Sequence, residues 1–150
     1  MQLLVLGYIL MGARLILKRS VVDSILTYAQ MAYPKEGILL LRGQATPQET
    51  VISDVVIPPR AVHGFGFANF PWHMLPIDRS ILGTVHSHPS GSLRPSVQDV
   101  NHYYGRIMII TVYPFQSRQD LGAFDRNGAI VNYDIEEDDD GNLEHTDPFE

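Results

Sequence analysis

The stretch that decides the fold is HSHPSGSLRPSVQD, residues 86–99. The apolar run before it, Ile81–His86, predicts a strand, and the prolines and glycine that follow predict a loop. Side chains alternate along a strand, so the imidazoles of His86 and His88 are expected on one face. The ten residues after His88 form a connection long enough to bring Asp99 back toward them.

The donors in this stretch suit a zinc ion. Two neutral imidazoles and one carboxylate are borderline-to-hard ligands, and three protein ligands leave a fourth tetrahedral position for water, as in catalytic zinc sites. The chain has no cysteine, which excludes disulfides, cysteine zinc fingers, iron–sulfur clusters and thiol nucleophiles. It also excludes the zinc deaminases, whose signature includes P-C-x-x-C.

Each of these residues also has a structural interpretation. Histidine pairs occur on strands for packing. Ser96 to Asp99 has the S-x-x-D form of a capping box, which predicts a short helix from Ser96 to about Tyr104, stopped by Gly105. Ser96 is then an N-cap and Asp99 a capping carboxylate. Ser87 is expected on the face opposite the histidines, with a structural role.

Composition predicts one soluble globular domain. The chain has 150 residues, of which 45% are hydrophobic. Nine of the 17 acids and no Lys or Arg fall in residues 134–150, so 1–135 is expected to form the domain and 136–150 a flexible acidic tail. The sequence shows no cluster of Lys and Arg residues of the kind that nucleic-acid binding requires.

The N-terminal segment, residues 1–12, is almost entirely apolar. It is shorter than a membrane span and has no basic region before it, so we interpret it as an additional edge strand or a helix-packing arm, not as a membrane anchor or signal peptide. With the absence of cysteine, this predicts a cytoplasmic protein. Pairing of this segment with a second chain, and hence a homodimer, is left open.

The rest of the chain predicts a mixed α/β (α+β) domain in which strands outnumber helices. Ser20 is expected to be the N-cap of a helix that ends near Ala32, before Pro34. Asn127-Gly128 between apolar runs predicts a hairpin. The predicted strands are Ala13–Arg19, Gly37–Arg42, Thr50–Ile57, Ile81–His86, Ile107–Tyr113, Leu121–Asp125 and Ala129–Ile135.

The spacing H-x-H-P-x6-S-x2-D, met by His86, His88, Pro89, Ser96 and Asp99, resembles the signature of the JAMM metalloproteases, or MPN+ domains. Glu36, after the first helix and before a buried strand, matches the upstream glutamate of that family. The resemblance runs from about Arg14 to Asp134 and is strongest to small stand-alone archaeal members. It implies a cytidine-deaminase-like MPN fold, mostly β sheet with a helix on each side.

The resemblance also implies the roles of the site residues. His86, His88 and Asp99 would bind one Zn²⁺, Glu36 would be the general base toward a zinc-activated water, and Ser96 would donate a hydrogen bond to the oxyanion. Taken by itself, Glu36 is more typical of a surface carboxylate that follows a helix. The family cleaves isopeptide or peptide bonds after the C-terminal glycine of ubiquitin or ubiquitin-like modifiers, so the implied partners are conjugates of such modifiers.

The substrate groove and the substrate leave alternatives. Segment 62–75, with Phe65, Phe67, Phe70 and Trp72, is a candidate groove wall, a loop buried on its own domain, or a dimer contact. The same zinc chemistry fits an adduct of a sulfur-carrier protein or a small amide. A non-catalytic interaction domain is the third alternative. His63, His73 and His102 complete no second ligand set.

Overall fold

The computed structural model describes residues 13–58 and 77–139 of the chain. Within them the chain forms eight strands, two α-helices and a 3-10 helix at Arg118–Asp120. In chain order the larger elements are β1 (Arg14–Lys18), α1 (Arg19–Ala32), β2 (Ile38–Ala45), β3 (Glu49–Val56), β4 (Ile81–His88), α2 (Val97–Asn101), β5 (Ile107–Val112), β6 (Leu121–Phe124), β7 (Ile130–Val131) and β8 (Tyr133–Glu136).

The strands form one mixed sheet in the order β7-β6-β5-β4-β2-β3-β1-β8. β7 and β8 lie at opposite edges, although Asn132 alone separates them in sequence. A single residue spans only about 3.5 Å, so the sheet has to curl until its two edges are close. The hydroxyl of Tyr133 in β8 donates to the carbonyl of Leu121 in β6, across this closure.

The larger core lies between α1 and one face of the curled sheet. The buried side of α1 follows helical spacing, and it packs against Leu17, Leu39 and Ile52 of the neighbouring strands. The helix residues buried in this cluster are Val21, Val22, Ile25, Leu26 and Ala29.

A smaller core occupies the opposite face. β5 is buried along its whole length, with Ile107 and Ile109 in the α1 core and Met108, Ile110 and Val112 in the second cluster. Leu93 and Tyr103, from the connection that carries α2, pack onto this second cluster. The two faces of the sheet therefore each carry one helix, and the predicted α+β class is confirmed.

Local signals predicted most elements correctly. The Ser96 capping box is present, although α2 ends at Asn101, three residues earlier than expected. The Asn127-Gly128 hairpin is also present, with the Asp125 amide donating to the Ala129 carbonyl at 2.9 Å and Gly128 at φ +77°, where glycine is favoured.

Three expectations are wrong. The predicted strand Ala129–Ile135 is two strands, β7 and β8, because its halves pair with opposite edges of the sheet. Ser20 lies inside the first turn of α1, whose N-cap is Lys18 without a side-chain cap. The flexible acidic tail does not begin at Glu136, because Glu136 ends β8 and Asp138 accepts the Ser20 amide hydrogen at 2.8 Å.

The N-terminal segment 1–12, the candidate groove wall 62–75 and residues 140–150 lie outside the described residues. Among the residues that are described, no helix is both long and apolar enough to cross a membrane.

Candidate metal centre

Both histidines lie within β4, which is two residues longer than predicted. β4 pairs with β2 on one side and β5 on the other, with His86 opposite Ile38 and His88 opposite Val112. The backbone of His86 therefore pairs with strands on both sides, and that of His88 pairs with β5. As expected from the alternation of side chains, the rings share a face, and their centroids are 4.8 Å apart.

Asp99 is brought to the histidines by the capping box at the start of α2. The Ser96 amide donates to Asp99 Oδ2 at 2.6 Å, and the Asp99 amide donates to Ser96 Oγ at 3.1 Å. These reciprocal bonds fix both the turn of the chain and the direction of the carboxylate. Asp99 can therefore be both a capping residue of α2 and a metal ligand.

The three side chains converge on one point. His86 Nε2 is 3.2 Å from Asp99 Oδ1, and His88 Nε2 is 3.3 Å from Asp99 Oδ2. One donor atom from each residue lies within 4.8 Å of the other two. In the part of the chain that the structure describes, this is the one cluster of three or more His and acidic side chains with such spacing.

The electrostatics hold Asp99 as an anion. Burial alone would raise the pKa of its carboxyl group, but hydrogen bonds with His86 and His88 lower that pKa well below the usual range. Burial likewise disfavours a charged His88, whereas the contacts with Asp99 and the Ser92 carbonyl raise its pKa. The carboxylate oxygens are therefore available as ligands at neutral pH.

The tautomer of His88 is set by the loop. His88 Nδ1 lies 2.7 Å from the carbonyl oxygen of Ser92, to which it donates, so Nε2 is the ring nitrogen that faces Asp99 and would serve as the metal ligand. No sequence pattern predicts the role of Ser92, since a contact through the backbone carbonyl does not depend on residue type. Two Nε2 atoms and an ionised carboxylate, close together and largely buried, fit a zinc ion with one open position.

Glu36 lies two residues before β2. The amide of Ser87 donates to the Gly37 carbonyl at 3.0 Å, and one further step along the β2–β4 register, which begins at Ile38 and His86, would set Glu36 opposite His88. The negative charge of Glu36 contributes to the raised pKa of His88. Directly opposed residues of antiparallel strands share a face, so Glu36 is on the side of the two histidines.

Ser96 joins the cluster through Asp99. Its Oγ uses a lone pair to accept the Asp99 amide hydrogen, which leaves the hydroxyl hydrogen for a further partner. His102 lies beside its own helix, with Nδ1 2.8 Å from the Gln98 carbonyl. Phe65, Phe67, Phe70 and Trp72 of the candidate groove wall fall outside the described residues.

Residues 18–126 match the family described as prokaryotic homologs of the JAB domain. The chain belongs to the prokaryotic JAB family. The match spans α1 and every strand from β2 to β6, and so includes all three candidate ligands, Glu36 and Ser96. The resemblance to the JAMM metalloproteases is thereby confirmed.

Three relatives of this JAB domain agree with the assignment. A probable metalloprotease from Haloferax volcanii is 32% identical over 120 residues, 75% of this chain and 74% of that protein. A solved structure described as a JAMM metalloprotease-like zinc site in the proteasome and signalosome is 28% identical, with a TM-score of 0.61 over 83% of this chain and 99% of that one. A JAB1/MPN domain protein from Archaeoglobus fulgidus is 30% identical, with a TM-score of 0.61 over 79% and 96%.

These comparisons establish the JAB/MPN fold and membership of the JAMM metalloprotease family. Together with the buried His86, His88 and Asp99 cluster, they make zinc the cofactor of this JAB domain.

Proposed function

We propose that this JAB domain is a zinc-dependent protease that hydrolyses the isopeptide or peptide bond after the C-terminal glycine of a ubiquitin-like modifier. The observation that carries the proposal is the convergence of His86, His88 and Asp99, and extension of the β2–β4 register puts Glu36 beside His88. The roles that the family resemblance implies for Glu36, as general base, and for Ser96, as donor to the oxyanion, are part of this proposal.

The zinc ion, Glu36 and Ser96 each have a separate role in the proposed hydrolysis. Bound zinc supplies a Lewis acid that makes water more acidic and polarises the scissile carbonyl. Glu36 accepts a proton from the attacking water as its oxygen bonds to the carbonyl carbon, and delivers that proton to the amine as the C–N bond breaks. The Ser96 hydroxyl donates to the oxyanion, a contribution of about 3 kcal/mol for a comparable preorganised donor.

The burial gradient supports a protein substrate. His86 is 1% exposed, 12% of the His88 side chain is exposed, and Glu36 is exposed at the surface. The cluster therefore opens toward Glu36, where a thin, extended tail of a folded modifier has access. The groove wall at Phe65, Phe67, Phe70 and Trp72, the homodimer and the cytoplasmic location stay predictions.

The test compares wild type with Glu36→Gln, which keeps the size of the side chain and removes its basicity. Asp23→Asn is the matched control, because Asp23 is an exposed carboxylate on α1. Each protein is loaded with zinc, its zinc content is measured, and it is incubated with conjugates of ubiquitin-like modifiers, a sulfur-carrier adduct and a small acyl amide. General-base catalysis contributes about 10²–10⁴-fold, so Glu36→Gln is expected to lose at least 100-fold in kcat.

Cleavage of the conjugates by wild type and Asp23→Asn, with one zinc in all three proteins and little turnover by Glu36→Gln, supports the proposal. Full turnover by Glu36→Gln removes Glu36 from the mechanism. Cleavage of the small amide without cleavage of any conjugate overturns the assigned substrate class.

A further inference from the structure

Ser87 separates the two histidines in sequence, but its side chain lies on the other face of β4 and is 2% exposed. Its hydroxyl oxygen accepts a hydrogen bond from the Gly37 amide at 2.8 Å. Its own amide donates to the Gly37 carbonyl at 3.0 Å. Ser87 therefore satisfies both backbone polar groups of the residue that follows Glu36.

The helix α1 closely approaches Gly37. A Cβ atom at residue 37 would lie 2.6 Å from Cε1 of Tyr28 and 3.2 Å from Cβ of Ala32. Such distances leave no space for a side chain. The backbone at residue 37 is thus bonded to Ser87 on β4, and α1 leaves little room for a side chain there.

The position of Glu36 depends on the hydrogen bonds between Ser87 and Gly37. Its side chain is exposed, and among the described residues it makes no hydrogen bond or ion pair that would hold it. On its N-terminal side, the Lys35 amide donates to the Ala32 carbonyl at 2.9 Å. The position of the Glu36 carboxylate relative to His88 is therefore set by the backbone on either side of it.

We propose that Ser87 is a positioning residue for Glu36, acting through its buried hydrogen bond to the Gly37 amide. The inference rests on the proposed function, since it matters for catalysis only if Glu36 is the general base. It also explains why a polar residue is buried near the C-terminal end of β4, between the two histidines.

The test replaces the hydroxyl and measures the attachment directly. Ser87→Ala removes the acceptor, and Ser87→Thr retains it on a side chain that a strand favours. Thr111→Val is the matched control. Thr111 lies on β5, directly beside Ser87 in the β4–β5 register, and is 1% exposed. Its hydroxyl donates to the Asp120 carbonyl at 2.9 Å and not to the backbone next to Glu36.

The first readout is amide hydrogen exchange at Gly37, with and without zinc. We expect exchange to be faster in Ser87→Ala by about tenfold or more, and close to wild type in Ser87→Thr and Thr111→Val, because local opening follows the loss of the local hydrogen bond. Unchanged exchange in Ser87→Ala, or the same acceleration in Thr111→Val, would overturn the assignment.

The second readout is turnover of the cleaved conjugate. Misplacement of a reacting group by about 1 Å can cost roughly 100-fold, so Ser87→Ala should lose about 10- to 100-fold in kcat, with zinc content and KM unchanged and with recovery in Ser87→Thr. In a Glu36→Gln background Ser87→Ala should cause no further loss. Wild-type turnover in Ser87→Ala, or losses that add in the double variant, would refute positioning.

The two readouts separate this inference from the proposed function. If wild type cleaves no conjugate, the proposed function fails, while amide exchange at Gly37 still decides whether Ser87 holds the segment that carries Glu36.

Discussion

The carboxylate of Asp99 contacts both the capping box of α2 and the histidines. One oxygen accepts the Ser96 amide hydrogen at 2.6 Å, while the other lies 3.2 Å from His86 Nε2. The short helix α2 therefore serves mainly to orient this side chain. An amide in place of the carboxylate could still accept from Ser96, but it would be a weaker ligand.

Asp99→Asn is accordingly expected to keep the fold and lose zinc. Loss of an outer-shell partner alone typically costs about 10–100-fold in metal affinity, so loss of a direct anionic ligand should exceed about 100-fold. Zinc per chain after dialysis against a chelator is the measurement, with Asp23→Asn as the control. One zinc retained in Asp99→Asn would exclude Asp99 as a ligand.

Tyr103 provides a prediction that does not depend on metal. Its hydroxyl is buried and has no hydrogen-bond partner in the described structure, and burial, with the nearby charge of Asp125, raises its pKa to about 12. The folded state thus favours the neutral phenol. Its contribution to stability is complete below the ordinary tyrosine pKa of about 10 and is lost as the pH rises from there through about 12.

Tyr103→Phe should therefore reduce the loss of stability between pH 10 and 11.5, and near pH 7 it should be neutral or stabilising because no buried hydrogen bond is broken. Urea unfolding at three pH values measures this, with Tyr113→Phe, a half-exposed tyrosine, as the control. An alkaline loss in Tyr103→Phe equal to that of wild type would contradict the expectation.

At the scale of elements, the C-terminal segment stabilises the start of α1. Lys18 contacts Glu136 at 2.7 Å and Arg19 contacts Glu137 at 3.2 Å. The Asp138 carboxylate accepts hydrogen bonds from the amide and the hydroxyl of Ser20. An acid at this position also interacts favourably with the helix dipole, so Asp138 takes the place of the missing local cap.

A chain that ends at Glu136 should therefore melt at a lower temperature than one that ends at Asp139. The hydrogen bond from the Ser20 hydroxyl lowers the pKa of Asp138, so this contribution is present above the ordinary carboxyl pKa of about 3.9 and is lost as the pH falls through the lower folded value. Thermal melts at pH 7 and pH 2.5 measure it. Equal melting temperatures of the two truncated chains at pH 7 would show that Glu137 and Asp138 contribute nothing.

Elements that depend on neighbouring residues were predictable from sequence, whereas those that depend on distant ones were not. The Ser96–Asp99 capping box and the Asn127-Gly128 turn are closed by residues within four positions, and both are confirmed. The N-terminus of α1 is completed by Asp138, 118 positions from Ser20, and no local pattern indicates it. The donor set of the metal centre was predictable because its spacing is itself a motif.

At the scale of the whole molecule, closure of the sheet explains the error at residues 129–135. Asn132 passes from one edge strand to the other, so the residues on its two sides pair with different strands, β7 with β6 and β8 with β1. The histidines lie on β4, with three strands on one side of it and four on the other. Two of the candidate ligands therefore lie on an interior strand of the sheet, and the third, Asp99, comes from α2.

Zinc should stabilise the whole domain, because its ligands come from β4 and α2 and are assembled only in the folded chain. A ligand that binds only the folded state adds about 2.7 kcal/mol when its free concentration is 100 times its Kd. Wild type should therefore melt at a higher temperature with zinc than without, and His86→Ala should show little shift. A shift of wild-type size in His86→Ala would place the bound zinc elsewhere.

The most direct test of the central claim is X-ray absorption of the zinc-loaded protein at the zinc edge. The His86, His88 and Asp99 site predicts two imidazole nitrogens at about 2.0–2.1 Å and oxygen ligands at about 2.0–2.2 Å, in fourfold coordination. The same measurement on His88→Ala should lose one imidazole. A spectrum with more than two imidazoles, with none, or unchanged in His88→Ala would contradict the assignment of this cluster as the zinc site.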